Sequence, residues 1–386
     1  MIEYKYNVNQ CDKIEFIINY KLVLNNMSDN KPVQLGLCCI NTILRAQKPP
    51  VFCSRKMIIR TVKEQGIDIL KEKILLNLAD VLTMMDWNEQ NGIKVFRLSS
   101  ELFPHKSNPK VDDYSFDFAI DLMKEIGKRA KKYNQRLTFH PGQYNVIGTP
   151  TKKNLEQTIC DLKYHADVLD LMELPNSSVM VIHGGGIYGD KEATKERWKQ
   201  QFKLLPKNVQ QRLVLENCEK CFSITDCLDI SRDISIPVVF DTHHFECYKQ
   251  LHPNEQFEEA SYYIPAILET WKIRDIKPKF HVSEQGPGRI GHHSDYVEVI
   301  PEYLMEIPNK FNISIDIMVE AKMKEQAIFR LYEKYPQLNC KIDETISQTE
   351  QQPFAWVKKN ITDCNCCSPK KNKKRKKYKL IIKNNV

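Results

Sequence analysis

Along this chain, short and nearly continuous apolar runs alternate with longer stretches in which apolar residues recur every three or four positions. The short runs are QLGLCCIN from Gln34, KVFRLSS from Lys94, RLTFHP from Arg136, SVMVIHGGG from Ser178, RLVLENC from Arg212, PVVFDTHH from Pro237, KFHVSE from Lys279 and DIMVEAK from Asp316. Their length and richness in β-branched and aromatic residues predict strands. Because they are continuous rather than alternating, both faces must be covered, as in a parallel sheet. Residues 67–85 and 116–133 carry helical spacing, with Phe116, Ile120, Met123 and Ile126 on one stripe. Eight such units in roughly 300 residues predict an α/β fold of the TIM type, a (β/α)8 barrel. An open doubly wound sheet is the rival, but the first strand lacks the glycine-rich turn of a dinucleotide fold.

The ends of the chain differ from its middle. Residues 1–33 are polar without clear periodicity and read as an N-terminal extension, leaving 34–345 for the barrel and 346–386 for a polar, then lysine-rich tail. Nine Lys or Arg and no acid lie in residues 370–386, so the net charge of +8 leaves the rest of the chain slightly negative. Such a tail repels itself, buries little, and is expected to be disordered. It suits sequence-blind contact with polyanions or a nuclear address, with a solubilising appendage as the plainer reading. No apolar run approaches the roughly 18 residues of a membrane span, and the first residues lack the apolar core of a signal peptide. A soluble, intracellular monomer is expected, with cytoplasm and nucleus both open. Thirteen cysteines, odd in number and irregular in spacing, read as reduced structural thiols.

The chemistry lies where the strands end. In a barrel the C-terminal strand ends and their loops build the active site. Here they carry His140, His183, Glu216, Asp241 with His244, His281 and Glu320, and the loop after the seventh strand adds His292 and His293. One histidine at a strand end is usually a satisfied core residue, and one carboxylate there can simply cap the next helix. So many at one rim would repel and resist desolvation unless divalent cations held them. Mixed imidazole and carboxylate donors suit manganese, zinc or iron, and their number suits two or three ions. Carboxylate-bridged ions favour in-line displacement at phosphorus, and phosphodiester hydrolysis leads over sugar isomerisation. Lys279 shares a face with His281. A cation there is expected to lose its proton, become carbamylated or meet a substrate phosphate, unless it bonds to a nearby carboxylate. In HPGQYNVIGTP, Gln143 and Tyr144 form a polar and aromatic pair suited to replacing a displaced base.

Taken together, LTFHPGQYNVIGTP, VIHGGGIYGDK, LVLEN, VVFDTHH, KFHVS, DIMVEAKMKEQ and FRLSSELFP resemble the UV-damage endonucleases, in the same order from about Leu35 to Gln326. The resemblance implies a metal-dependent barrel that nicks DNA on the 5′ side of ultraviolet photoproducts, with Mn2+ as the usual cofactor and Zn2+ or Mg2+ as alternatives. It implies metal ligation by His140, His183, Glu216, Asp241, His244, His281, His293 and Glu320. Catalytic roles fall to Lys279, matching a lysine modified at the metal site, and to Glu216 and Glu320. Gln143 and Tyr144 match the pair that probes the lesion, and Asn41 a DNA-contacting asparagine. The implied partner is damaged double-stranded DNA, with no membrane. Two positions depart from the pattern. Asn108 stands where many relatives place a metal-binding histidine, with His105 three residues earlier as a substitute, and Leu37 stands where some present an aromatic residue. A DNA repair endonuclease is therefore expected. A metal-dependent sugar isomerase and a non-catalytic lesion-binding protein are the alternatives.

Overall fold

The computed structural model describes residues 32–340. The extension and the tail expected at the two ends fall almost wholly outside that range. Eight strands form one parallel sheet: β1 (Val33–Cys38), β2 (Val95–Arg97), β3 (Arg136–Thr138), β4 (Met180–His183), β5 (Leu213–Glu216), β6 (Val238–Asp241), β7 (Lys279–Val282) and β8 (Ile315–Val319). Their order is β3-β2-β1-β8-β7-β6-β5-β4. The ends of that order meet at a parallel bridge between Phe139 and Met180. There the Phe139 amide donates to the Val179 carbonyl and the Val181 amide to the Phe139 carbonyl, each at 3.0 Å. The sheet is thus closed, and the expected TIM-type barrel is the fold.

Almost every strand residue is buried, as continuous apolar runs require when helices cover the outer face. The longest helices are Asp68–Gln90, Ile120–Lys132 and Lys152–Leu171. Near the strand starts, Asp316 is fully buried between Arg136 (2.8 Å) and Lys277 (2.5 Å). Those cations hold its carboxyl below the usual range against the opposing effect of burial. This pairing belongs to the end of the barrel that serves stability, opposite the end that serves chemistry. The described cysteines are free thiols. No helix among the described residues is long and apolar enough to cross a membrane.

Candidate metal centre at the barrel mouth

Glu216 closes β5 and is fully buried. Its Oε2 lies 3.0 Å from Nε2 of His140, which follows β3, and 3.1 Å from Nε2 of His183, at the end of β4. Its Oε1 lies 2.7 Å from Nδ1 of His281 on β7. One carboxylate thus meets imidazoles from three strand ends. Burial opposes its ionisation, yet His281 and His183 hold its pKa well below the usual carboxylate range.

Asp241 ends β6 and starts the helix Thr242–Leu251. The capping role expected for an isolated strand-end carboxylate is real: Oδ1 accepts from the His243 and His244 amides, both at 2.8 Å. Only one oxygen is used in this way. Oδ2 is buried without a hydrogen-bond partner, as is Nε2 of His281. The cap itself fixes where Oδ2 points. The Asn217 side chain adds to this by accepting from the Asp241 amide at 2.8 Å and donating to its carbonyl at 3.0 Å.

Two of the histidines are oriented by carbonyl neighbours, which can only accept. His244 donates from Nδ1 to the Asn217 carbonyl at 3.0 Å, and His140 from Nδ1 to the Pro141 carbonyl at 3.3 Å. His244 thereby aims Nε2 away from that carbonyl, the arrangement in which a backbone acceptor orients a metal-binding imidazole, while His140 stands between two acceptors, with Glu216 Oε2 3.0 Å from its Nε2. Burial lowers the His140 pKa, with Glu216 opposing. At His183 burial acts the same way, but Glu216 outweighs it and the pKa rises. Burial also opposes the charge on His244, yet Asp241 and Glu216 push its pKa up to about 10.

Two groups of residues stand close enough to share an ion, His140–His183–Glu216 and Glu216–Asp241–His281, with Glu216 common to both. His244 stands at their edge, its Nδ1 3.7 Å from Glu216 Oε1 and 3.8 Å from Asp241 Oδ2. Glu320, just after β8, lies 3.2 Å from His281 Nδ1. Of the adjacent histidines after β7, His293 faces the cluster, 4.0 Å from Glu320, while His292 is exposed beside Arg289.

Lys279 is fully enclosed, and its Nζ has no hydrogen-bond partner. The bond to a nearby carboxylate is therefore not made. Burial, reinforced by Arg136, pushes its pKa down to about 7.

His105, in the loop after β2, belongs to neither group. At a φ of +63°, it donates from Nε2 to the Met57 carbonyl at 2.6 Å and faces Asn108 through Nδ1 at 3.4 Å. Asn41 is enclosed and caps a short helix, its Oδ1 accepting from the Leu44 amide at 2.8 Å. Leu37 is likewise wholly buried. Gln143 and Tyr144 are exposed on the loop after β3, Tyr144 by 60%.

Arg97, at the end of β2, was missed by the sequence reading. Its Nη1 lies 2.5 Å from Glu320 Oε1, and this pairing helps hold the Glu320 carboxyl low against burial. A single arginine in FRLSS carries no signal of such a role; only the strand order brings it beside β8.

Residues 33–352 match the family model described as UV-endonuclease UvdE. The chain is 40% identical over 316 residues to a "Putative UV-damage endonuclease" of Acanthamoeba polyphaga mimivirus, covering 81% of this chain and 94% of that protein. It is 37% identical over 320 residues to a "UV-damage endonuclease" of Schizosaccharomyces pombe, covering 79% of this chain but only 52% of the fungal protein. Among solved structures, SacUVDE superposes with a TM-score of 0.66 at 30% identity, covering 80% of this chain and all of that one.

Proposed function

The chain belongs to the UV-endonuclease UvdE family, and from that premise we propose that it nicks duplex DNA on the 5′ side of ultraviolet photoproducts, using divalent ions at the barrel mouth. The observation that carries this reading is the buried Glu216 carboxylate shared among imidazoles from three strand ends.

The donor set fits such ions. A buried polar atom without a partner is costly, and ligation would satisfy both Asp241 Oδ2 and His281 Nε2. His140, His183 and Glu216 would hold one ion, and Glu216, Asp241 and His281 a second. His244, His293 and Glu320 supply the remaining donors for a third. Mn2+ is the ion proposed, with Zn2+ and Mg2+ as alternatives. When bound, such ions supply Lewis acidity, activating water and offsetting charge on phosphate oxygens.

The protein's own groups do the positioning. The Asp241 cap and the carbonyl bonds of His140 and His244 fix donor directions before any ion arrives, so little is reorganised on binding. Lys279 at a pKa of about 7 is substantially neutral, the form whose amine adds carbon dioxide to give a carbamate and a proton. Gln143 and Tyr144 enter the duplex in place of displaced bases. A photoproduct already weakens stacking, so its extrusion costs less than that of intact bases.

The test mixes the protein with Mn2+ and an end-labelled duplex carrying one pyrimidine dimer. One nick on the 5′ side is expected; an intact duplex with metal demonstrably bound overturns the proposal.

Three further outcomes are expected. Without metal, a pKa of about 10 leaves His244 carrying a proton near neutrality, so ion uptake there must displace it. Mn2+ affinity should therefore rise with pH, with protons released into unbuffered solution. Saturating Mn2+ should stabilise the fold by about 2.7 kcal/mol at a hundredfold excess over Kd; calorimetry checks both. Removing residues 368–386, which lie outside the described range, should leave cleavage intact and flatten the salt dependence of DNA binding. An unchanged salt slope would mean that the tail does not touch DNA.

A further inference from the structure

On the helix Lys152–Leu171, Asp161 is 1% exposed, yet its carboxylate accepts from two different loops of the barrel mouth. Oδ1 takes Ser107 Oγ, from the loop after β2, at 2.5 Å and the Tyr144 hydroxyl at 3.2 Å. Oδ2 takes Asn145 Nδ2 at 2.8 Å. The same amide nitrogen reaches back to the Gly142 carbonyl at 3.0 Å, closing the turn that carries Gln143 and Tyr144. Ser107 is pinned a second time, its carbonyl accepting from Gln157 Nε2 on the same helix at 2.6 Å. His165, one helical turn on from Asp161, spends Nδ1 on the Asp161 carbonyl at 2.7 Å.

Tyr144 is held at both ends. Its ring lies so close over Gly142 that a Cβ there would come within 2.5 Å of Cε1. Its hydroxyl stays protonated and donating, because burial and the neighbouring Asp161 both raise its pKa. An aromatic ring that is 60% exposed and tethered at its tip by a buried carboxylate is unusual for a surface tyrosine. Left untethered, such a ring would sample rotamers in water and lose that freedom on entering DNA.

We propose that Asp161 is a positioning residue for lesion recognition, holding Gln143 and Tyr144 in their inserting conformation and coupling that turn to the Ser107–Asn108 loop. This rests on the reading of Gln143 and Tyr144 as the pair that enters the duplex. Asp161 touches neither the metal groups nor, at 1% exposure, the DNA. Its effect is to order the turn in advance.

The test uses full-length protein with Mn2+, a dimer-bearing duplex with 2-aminopurine opposite the lesion, and the undamaged duplex. Asp161→Asn keeps the volume, but an amide has only one acceptor oxygen, so either the Ser107–Tyr144 pair or Asn145 faces a donor instead. KM for the damaged duplex is expected to rise about tenfold with kcat within about twofold, since the lost bonds order the free protein rather than the reacting atoms. The 2-aminopurine signal at saturating protein should be kept, but reached at about tenfold more protein. Tyr144→Phe, an exposed change that leaves folding untouched, should raise KM in the same direction by about threefold. Adding it to Asp161→Asn should cost less than the two effects multiplied. Unchanged KM in both single variants, or kcat falling in proportion while KM holds, overturns the proposal. If the unaltered protein leaves the damaged duplex intact, the function proposed above falls and this inference with it. If the unaltered protein incises and the variants match it, this inference falls alone.

Discussion

Glu216→Gln is expected to abolish incision, with kcat falling by at least about 10³-fold, because it alters the one ligand common to both candidate ion groups. Glutamine keeps the shape but removes the charge and brings an NH2 group into a cluster of imidazole nitrogens. Disturbing groups that merely orient a ligand typically costs 10- to 100-fold in metal affinity, and a shared ligand should cost more. Without metal, the variant should melt below the parent, because a carboxyl held well below its usual range stabilises the fold as an anion and glutamine carries no such charge. The signature is read against the variant's own melting temperature without ions: the rise on adding Mn2+ is lost. Incision within tenfold of the parent, or an undiminished Mn2+ response, would remove Glu216 from the centre.

Glu320→Ala is expected to abolish incision as well, and here the ion-free stability loss has a named partner. Arg97 and Glu320 are both largely buried and lie 2.5 Å apart. Cutting the carboxylate away leaves the guanidinium without its partner, at a cost of about 3 kcal/mol. The loss should be visible in denaturant melts without ions. Glu320→Gln separates the two roles, because it retains volume and an acceptor for Arg97 while weakening any ion contact. Retained turnover in both Glu320 variants would place this residue outside the reacting site and leave it as a partner for Arg97 alone.

Much of this site was legible in the sequence because a barrel gathers its strand ends at one rim whatever their separation along the chain. His140, His183, Glu216, Asp241 and His281 could be placed together from strand positions alone, and the structure brings them within reach of shared ions. The residues that hold them were not legible. Asp161 sits in mid-helix among other charges, and nothing in a helical repeat marks which acid will face inward and receive two loops. Asn217 follows a conspicuous glutamate and reads as ordinary. Arg97 becomes significant only through the pairing of β1 with both β2 and β8. Boundaries blurred for a related reason. The helix read as 67–85 continues to Gln90, because Asn88 turns inward, a tertiary burial that a polar run conceals. Three residues of the stretch read as 116–133 form a tighter turn, Asp117–Ala119, before the helix proper begins.

The central claim is that imidazoles and carboxylates from separate strand ends meet around shared divalent ions. Anomalous scattering from a crystal grown with Mn2+ tests it most directly. The account predicts strong peaks in contact with His140, His183 and Glu216 and with Glu216, Asp241 and His281. Peaks confined to other parts of the molecule, or none at these residues under saturating Mn2+, would contradict it.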